Sequence, residues 1–214
     1  MPKLLCYLAT PGGLTGAPRR LLTLCETLRE NGLNAQLLSS PDRQILAAGK
    51  DLGVPSKALK LQPLFNLRHG ALFGGGILFR VRVLLALVIQ NLRFARLVHR
   101  ENADAVWISG AKGIALAGMG AWLAGRPIIW DLNYELPSHG AVRWLHQMGL
   151  TLSHSMVFEY EGAGKAIFGP KRAEKYRDKM QALIPGIAIE RLEAFKRHRS
   201  NREGGRIFTI LQVG

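Results

Sequence analysis

The chain has 214 residues, 48% hydrophobic and 21% charged, which excludes a disordered protein and allows one large or two small domains around a real core. With 29 basic against 15 acidic residues the formal net charge is +14, so an anionic partner is expected: nucleic acid, a phosphorylated ligand or an acidic membrane surface. The two cysteines, Cys6 and Cys25, exclude a disulfide scaffold, and no apolar run approaches the roughly 20 residues that span a bilayer.

Short apolar runs alternate with helical patterns, which predicts a mainly parallel sheet of about seven strands with crossover helices, a Rossmann-like three-layer α/β/α domain. The first strand covers 3–9. A glycine-rich turn over 10–16 leads into a helix over 17–31, in which Leu21, Leu22, Leu24, Cys25 and Leu28 recur at helical spacing. Pro18 fits the first turn of that helix and Asn31-Gly32 its end. Both cysteines fall in apolar positions and read as reduced core thiols of a cytosolic protein. Met1-Pro2-Lys3 runs straight into the first strand, a start that reads as lacking a signal peptide.

Strands are then expected at 34–39, 57–61, 104–109, 127–131, 155–158 and 181–184. The helices between and after them are expected at 43–51, 77–101, 112–124, 140–152, 162–168 and 189–197. A polar, glycine-containing run over 198–206 reads as a linker closing a domain of residues 1–197. Residues 207–214 read as the first strand of a second domain, so the chain is expected to be one α/β unit plus the start of another, a truncated chain or half of a split enzyme.

In open α/β sheets ligands sit beyond the carboxyl ends of the strands, which directs attention to the loops 10–16, 109–113, 131–138 and 159–164. In the first, Gly12, Gly13 and Gly16 permit close backbone approach, the following helix start favours anions, and Arg19 and Arg20 add charge. Lys112 adds a cation in the second. A dinucleotide fingerprint is excluded twice: Pro11 stands where its first glycine belongs, and Leu37-Leu38-Ser39-Ser40 offers no acid for a ribose. No P-loop, metal-ligand spacing or D-x-D pair is present. Asp131, Asn133 and Glu135, leaving the fifth strand, suit hydrogen bonding to a polyhydroxylated ligand, or a structural turn capped by Asp131. Glu159 and Glu161 occupy an equivalent edge.

The helix at 77–101 places Arg82, Arg93, Arg96 and Arg100 on one side, with Leu78, Leu85 and Ile89 among them. Such a stripe suits a membrane interface, with Leu64-Phe65 and Leu72-Phe73 inserting alongside. The alternative is a crossover helix buried on several sides.

Three segments resemble the amino-terminal half of family 4 (group 1) glycosyltransferases of the GT-B fold. Residues 15–32 (TGAPRRLLTLCETLRENG) are similar to that family's first cleft loop and helix. Residues 125–135 (GRPIIWDLNYE) resemble its segment ending in D-x-H, with Asn133 in place of the histidine. Residues 183–190 (LIPGIAIE) resemble its turn before the second domain. The resemblance implies transfer of a sugar from a nucleotide-sugar donor without an obligatory metal or other cofactor. The donor is then held mainly by the missing domain and the acceptor or its phosphate by Gly13, Gly16, Arg19, Arg20 and Lys112, with Asp131, Asn133 and Glu135 at the catalytic position, where Asn133 can act only by hydrogen bonding. Together with the basic charge, the expected reading is the acceptor-binding half of such an enzyme, working on a lipid-linked or envelope glycan and peripheral to the inner face of the cytoplasmic membrane. Retention of configuration follows from the family alone, and this chain by itself is expected to be inactive. The competing reading is a basic α/β module that binds nucleic acid or a phosphate ligand without catalysis. Aromatic residues are only 7% and no nucleic-acid motif is present, so no specific nucleic acid is expected.

Overall fold

The structure is a computed structural model that describes residues 1–9, 14, 16–66, 76–132 and 140–183. The expected helix at 189–197, linker at 198–206 and strand at 207–213 lie outside the described residues, as do Gly12, Gly13, Leu72, Phe73, Asn133 and Glu135.

Seven strands form one sheet: β1 (Lys3–Leu8), β2 (Asn34–Ser39), β3 (Ser56–Ala58), β4 (Ala105–Ser109), β5 (Ile128–Leu132), β6 (Ser155–Phe158) and β7 (Met180–Ala182). Their order is β3-β2-β1-β4-β5-β6-β7, and every pairing is parallel, where the sequence predicted only a mainly parallel sheet. Parallel neighbours require a crossover between them, and the helices supply it: α1 (Gly16–Glu30), α2 (Arg43–Asp51), α3 (Ile77–Arg100), α4 (Gly110–Gly113), α5 (Met119–Leu123), α6 (Gly140–Leu152), α7 (Ala163–Phe168) and α8 (Pro170–Lys175). The expected helix at 112–124 starts earlier and is broken by a π-helical turn, Ile114–Gly118, between α4 and α5. The helix α8, opened by Pro170, was not foreseen; its six residues carry no buried face to give it periodicity.

Local chemistry sets the helix ends. Asp42 caps α2, its Oδ1 accepting from the Gln44 and Ile45 backbone N–H groups. The α1 helix stops at Gly32, which adopts φ +80°; the Gly32 N–H reaches the Arg29 carbonyl and the Leu33 N–H the Leu28 carbonyl. These two bonds satisfy carbonyls that the helix leaves open.

Alternation along β1 divides the core. Cys6 and Leu8 face α1 and α2, packing with Leu21, Leu22, Cys25 and Ile45. Leu5 and Tyr7 face the other layer, with Phe94 and Val98 of α3, Ile114 and Ala121. Both cysteines are free and fully buried. Phe65, expected to insert into a membrane, is instead a core residue with 1% exposure, because the short 3-10 turn Pro63–Asn66 folds it under the α3 layer.

The α3 layer is tied together by one side chain. Asn91 donates through Nδ2 to the Leu87 carbonyl and to the Ala115 carbonyl of the π turn, both at 2.9 Å, and its Oδ1 accepts from the Gly120 N–H at 2.9 Å. A Cβ at residue 120 would fall on the Asn91 carbonyl oxygen, so glycine is what lets α5 approach α3 closely.

His146 of α6 is fully buried against Phe168, at 5.3 Å and edge-on, and Trp130, at 6.2 Å. Neither ring nitrogen has a hydrogen-bond partner among the described residues. Burial, and then the nearby Arg172, hold its pKa below the ordinary 6.5. The neutral ring is therefore the folded form, and its contribution to stability is present above pH 6.5 and lost as pH falls from there through the folded-state value. The expected result is a denaturation midpoint that drops between pH 7 and pH 5 by more in the wild type than in His146→Phe. Equal drops would mean that the ring does not stay neutral in the fold.

Candidate functional site

Strand order reverses between β1 and β4, so the crevice suited to a ligand opens beyond the carboxyl ends of the central strands. The chain places Gly16, Arg19 and Arg20 there from α1, Ser109 and Lys112 from the end of β4 and α4, Asp131 from β5, and Glu159 just past β6.

Asp131 is the centre of the described part. It is 2% exposed, lies at the fourth position of β5, and shares a sheet face with Trp107 of the neighbouring β4 strand. The Trp107 Nε1–H donates to Asp131 Oδ2 at 3.4 Å. Arg20, one turn into α1, places Nη2 3.2 Å from Asp131 Oδ1 and donates through Nη1 to Glu159 Oε1 at 2.9 Å. One guanidinium thus bridges two carboxylates from adjacent strands. The Arg20–Asp131 contact is close but off the hydrogen-bond axis, so Nη2 and Oδ1 are both buried without an aligned partner.

Burial raises the Asp131 pKa above its ordinary 3.8; Arg20 and the Trp107 and Ser109 hydrogen bonds oppose the rise, and Glu159 adds to it. The group is a desolvated carboxyl facing a single cation, and in its ionised form it can accept from, or take a proton from, a hydroxyl set beside it. Lys112 is half-buried, and burial lowers its pKa; it has no hydrogen-bond or ion-pair partner among the described residues. A cation in that condition suits an anionic ligand group.

Of the residues expected to hold an acceptor, Arg19 is exposed on α1 and Gly16 is exposed with open space where a Cβ would be. Arg20 is not free: its charge is engaged by Asp131 and Glu159. Gly13, Asn133 and Glu135 are outside the described residues. Glu161 is exposed, whereas Glu159 joins the cluster. Trp107 was missed, since an apolar strand residue gives no sign that its indole N–H meets a carboxylate on the next strand. Arg82, Arg93, Arg96 and Arg100 are all exposed on α3. Among the described residues no group of three His, Cys, Asp or Glu side chains is placed to hold a metal ion.

No protein-family profile and no curated protein matches the chain. Solved structures do match. HepE of Anabaena, in complex with UDP and glucose, aligns with a TM-score of 0.65 at 14% identity, over 89% of this chain and 46% of its own. A glycosyltransferase of Rickettsia africae aligns at 0.60 and 10% identity, over 93% of this chain and 49% of its own. A UDP-N-acetylglucosamine 2-epimerase of Rickettsia bellii aligns at 0.55 and 13% identity, over 94% and 48%. At such identities the likeness is one of fold. The chain has the Rossmann-like domain that forms one half of GT-B chains, and it spans about half the length of these structures.

Proposed function

We propose that this chain is the acceptor-binding half of a glycosyltransferase, which moves a sugar from a nucleotide-sugar donor to a lipid-linked or envelope glycan acceptor at the cytoplasmic membrane face. In that reaction the bond from the anomeric carbon to the diphosphate oxygen breaks, and the nucleoside diphosphate leaves with the electron pair. A new bond forms to an acceptor oxygen, whose proton is lost. The observation that carries the reading is the pair of buried, unaligned groups, Asp131 Oδ1 and Arg20 Nη2, at the carboxyl edge of a GT-B-like sheet. Both atoms are closed to solvent in the fold, so an acceptor hydroxyl that donates to the first and accepts from the second must displace the side chains covering them. Lys112 and Arg19 supply charge for a diphosphate linking sugar to lipid. Asn133 and Glu135 are assigned to the acceptor by resemblance, through hydrogen bonds. The donor belongs mainly to a second GT-B half, and the transfer uses no obligatory metal.

Calorimetric titration of the full chain with a water-soluble prenyl diphosphate sugar tests this. Binding is expected, and Lys112→Gln is expected to weaken it about tenfold, the scale of one charge-assisted hydrogen bond. An unchanged affinity in Lys112→Gln removes Lys112 from the site. Binding of a uridine diphosphate sugar in preference to the prenyl diphosphate sugar would overturn the acceptor-side assignment.

A further inference from the structure

We propose that the outer face of α3, together with the exposed side of α5, is a docking surface for an anionic lipid bilayer, with α3 lying in the plane of the interface. The proposal rests on the preceding reading for the occupant, since a lipid-linked acceptor is met at a membrane.

Two apolar faces run along α3. The inner one packs Val83, Ala86, Phe94 and Val98 into the core. The outer one leaves Ile77, Val81, Leu84, Leu85, Val88 and Leu92 exposed, from 43% at Leu92 up to 79% at Ile77. These residues recur at helical spacing and share one side of the helix, about 22 Å long at 1.5 Å per residue. Soluble monomers rarely leave so continuous an apolar strip in water.

What borders the strip identifies its occupant. On one flank stand Arg82, Arg93, Arg96 and Arg100, all exposed. On the other is α5, held to α3 through Gly120 and Asn91, which exposes Met119, Trp122 and Leu123. From Ile77 to Arg100 there is no carboxylate. Two copies packed through α3 would bring two rows of arginines together without counter-charge, whereas anionic headgroups neutralise them. Arginine stems can cover apolar surface while their heads meet phosphates, and an indole suits the boundary between hydrocarbon and water. The mode is peripheral, because no helix among the described residues is long and apolar enough to cross a membrane.

The topology relates this face to the site. As a crossover between parallel strands, α3 runs antiparallel to them, so its Ile77 end lies at the carboxyl edge of the sheet, with Arg20, Lys112 and Asp131. A bilayer seated on the outer face reaches up to the edge where the acceptor is proposed to bind.

The test is co-sedimentation of the full chain with phosphatidylcholine vesicles, with and without about one-third phosphatidylglycerol, at low and high salt. Binding to the anionic vesicles is expected. Arg82→Gln, Arg93→Gln, Arg96→Gln and Arg100→Gln together should lower it about a hundredfold, and Val81→Ser, Leu85→Ser and Val88→Ser together at least tenfold. Lys165→Gln, Lys171→Gln, Lys175→Gln and Arg177→Gln together, on α7 and beyond, should change it less than about threefold. All these side chains are exposed, and circular dichroism checks that each variant is folded. If the α7–α8 changes weaken binding as much as the α3 arginine changes, or the serine changes have no effect, the attraction is diffuse charge and the docking face is overturned. It is equally overturned if the chain ignores both vesicle types, or if it forms a dimer that the serine changes dissolve. Prenyl diphosphate sugar binding is measured without vesicles, so failure here is distinct from failure of the acceptor assignment.

Discussion

Replacing Arg20 by methionine is expected to destabilise the fold by about 3–5 kcal/mol at pH 7, the cost of stripping a buried carboxylate of its partner. The side chains of Arg20 and Asp131 are 15% and 3% exposed, so water screens the pair weakly. Without the guanidinium, Asp131 keeps its desolvation and the repulsion of Glu159, and its pKa rises further. A carboxyl raised in the folded state favours folding below its ordinary 3.8 and loses that contribution as pH rises through the folded value. The deficit of Arg20→Met is therefore expected to be largest near neutrality and to shrink as pH falls. Urea denaturation across that range measures it, and Arg20→Met with Asp131→Asn should recover most of the loss. A deficit below about 1 kcal/mol, with no recovery in the double variant, would mean that the pair behaves as a surface ion pair.

An effect of similar size, about 3–5 kcal/mol, is expected for Asn91→Leu. Leucine keeps the volume but leaves the Gly120 N–H and the Ala115 carbonyl without the amide that joins them to α3. Each buried polar group so stranded costs on the order of 1–3 kcal/mol. The π turn and α5 should loosen first, so amide hydrogen exchange should accelerate over residues 114–123 before the rest of the fold responds. Loss of protection spread evenly over the sheet would show that Asn91 supports the whole domain and not this joint.

Most strands and helices were legible because each is specified by neighbours in sequence. The apolar runs of β1, β4 and β5 and the periodic leucines of α1 declare themselves, and Asp42 and Gly32 mark helix ends. The π turn was not legible, because Asn91, which binds its Ala115 carbonyl, comes from another helix 24 residues away. The residues of the candidate site were found one by one, from their positions after strands, but not their relation. Arg20 reads as a free cation next to glycines, and only the side-by-side pairing of β5 and β6 brings it two carboxylates, one of them 139 residues distant.

The sequence by itself determined the alternation of strand and helix, the likeness to half of a GT-B chain and the excess of positive charge. The tertiary structure alone decided which residues use that charge and which apolar face is covered. In α3 apolar side chains occur on all sides, so periodicity does not single out an inner face. Packing against the sheet and α5 buries Gln90 and Asn91 while leaving Leu84 and Leu85 in solvent, and buries Phe65, which sequence reading had placed outside. Burial depends on what lies opposite a residue, and for these residues that neighbour is distant in the chain.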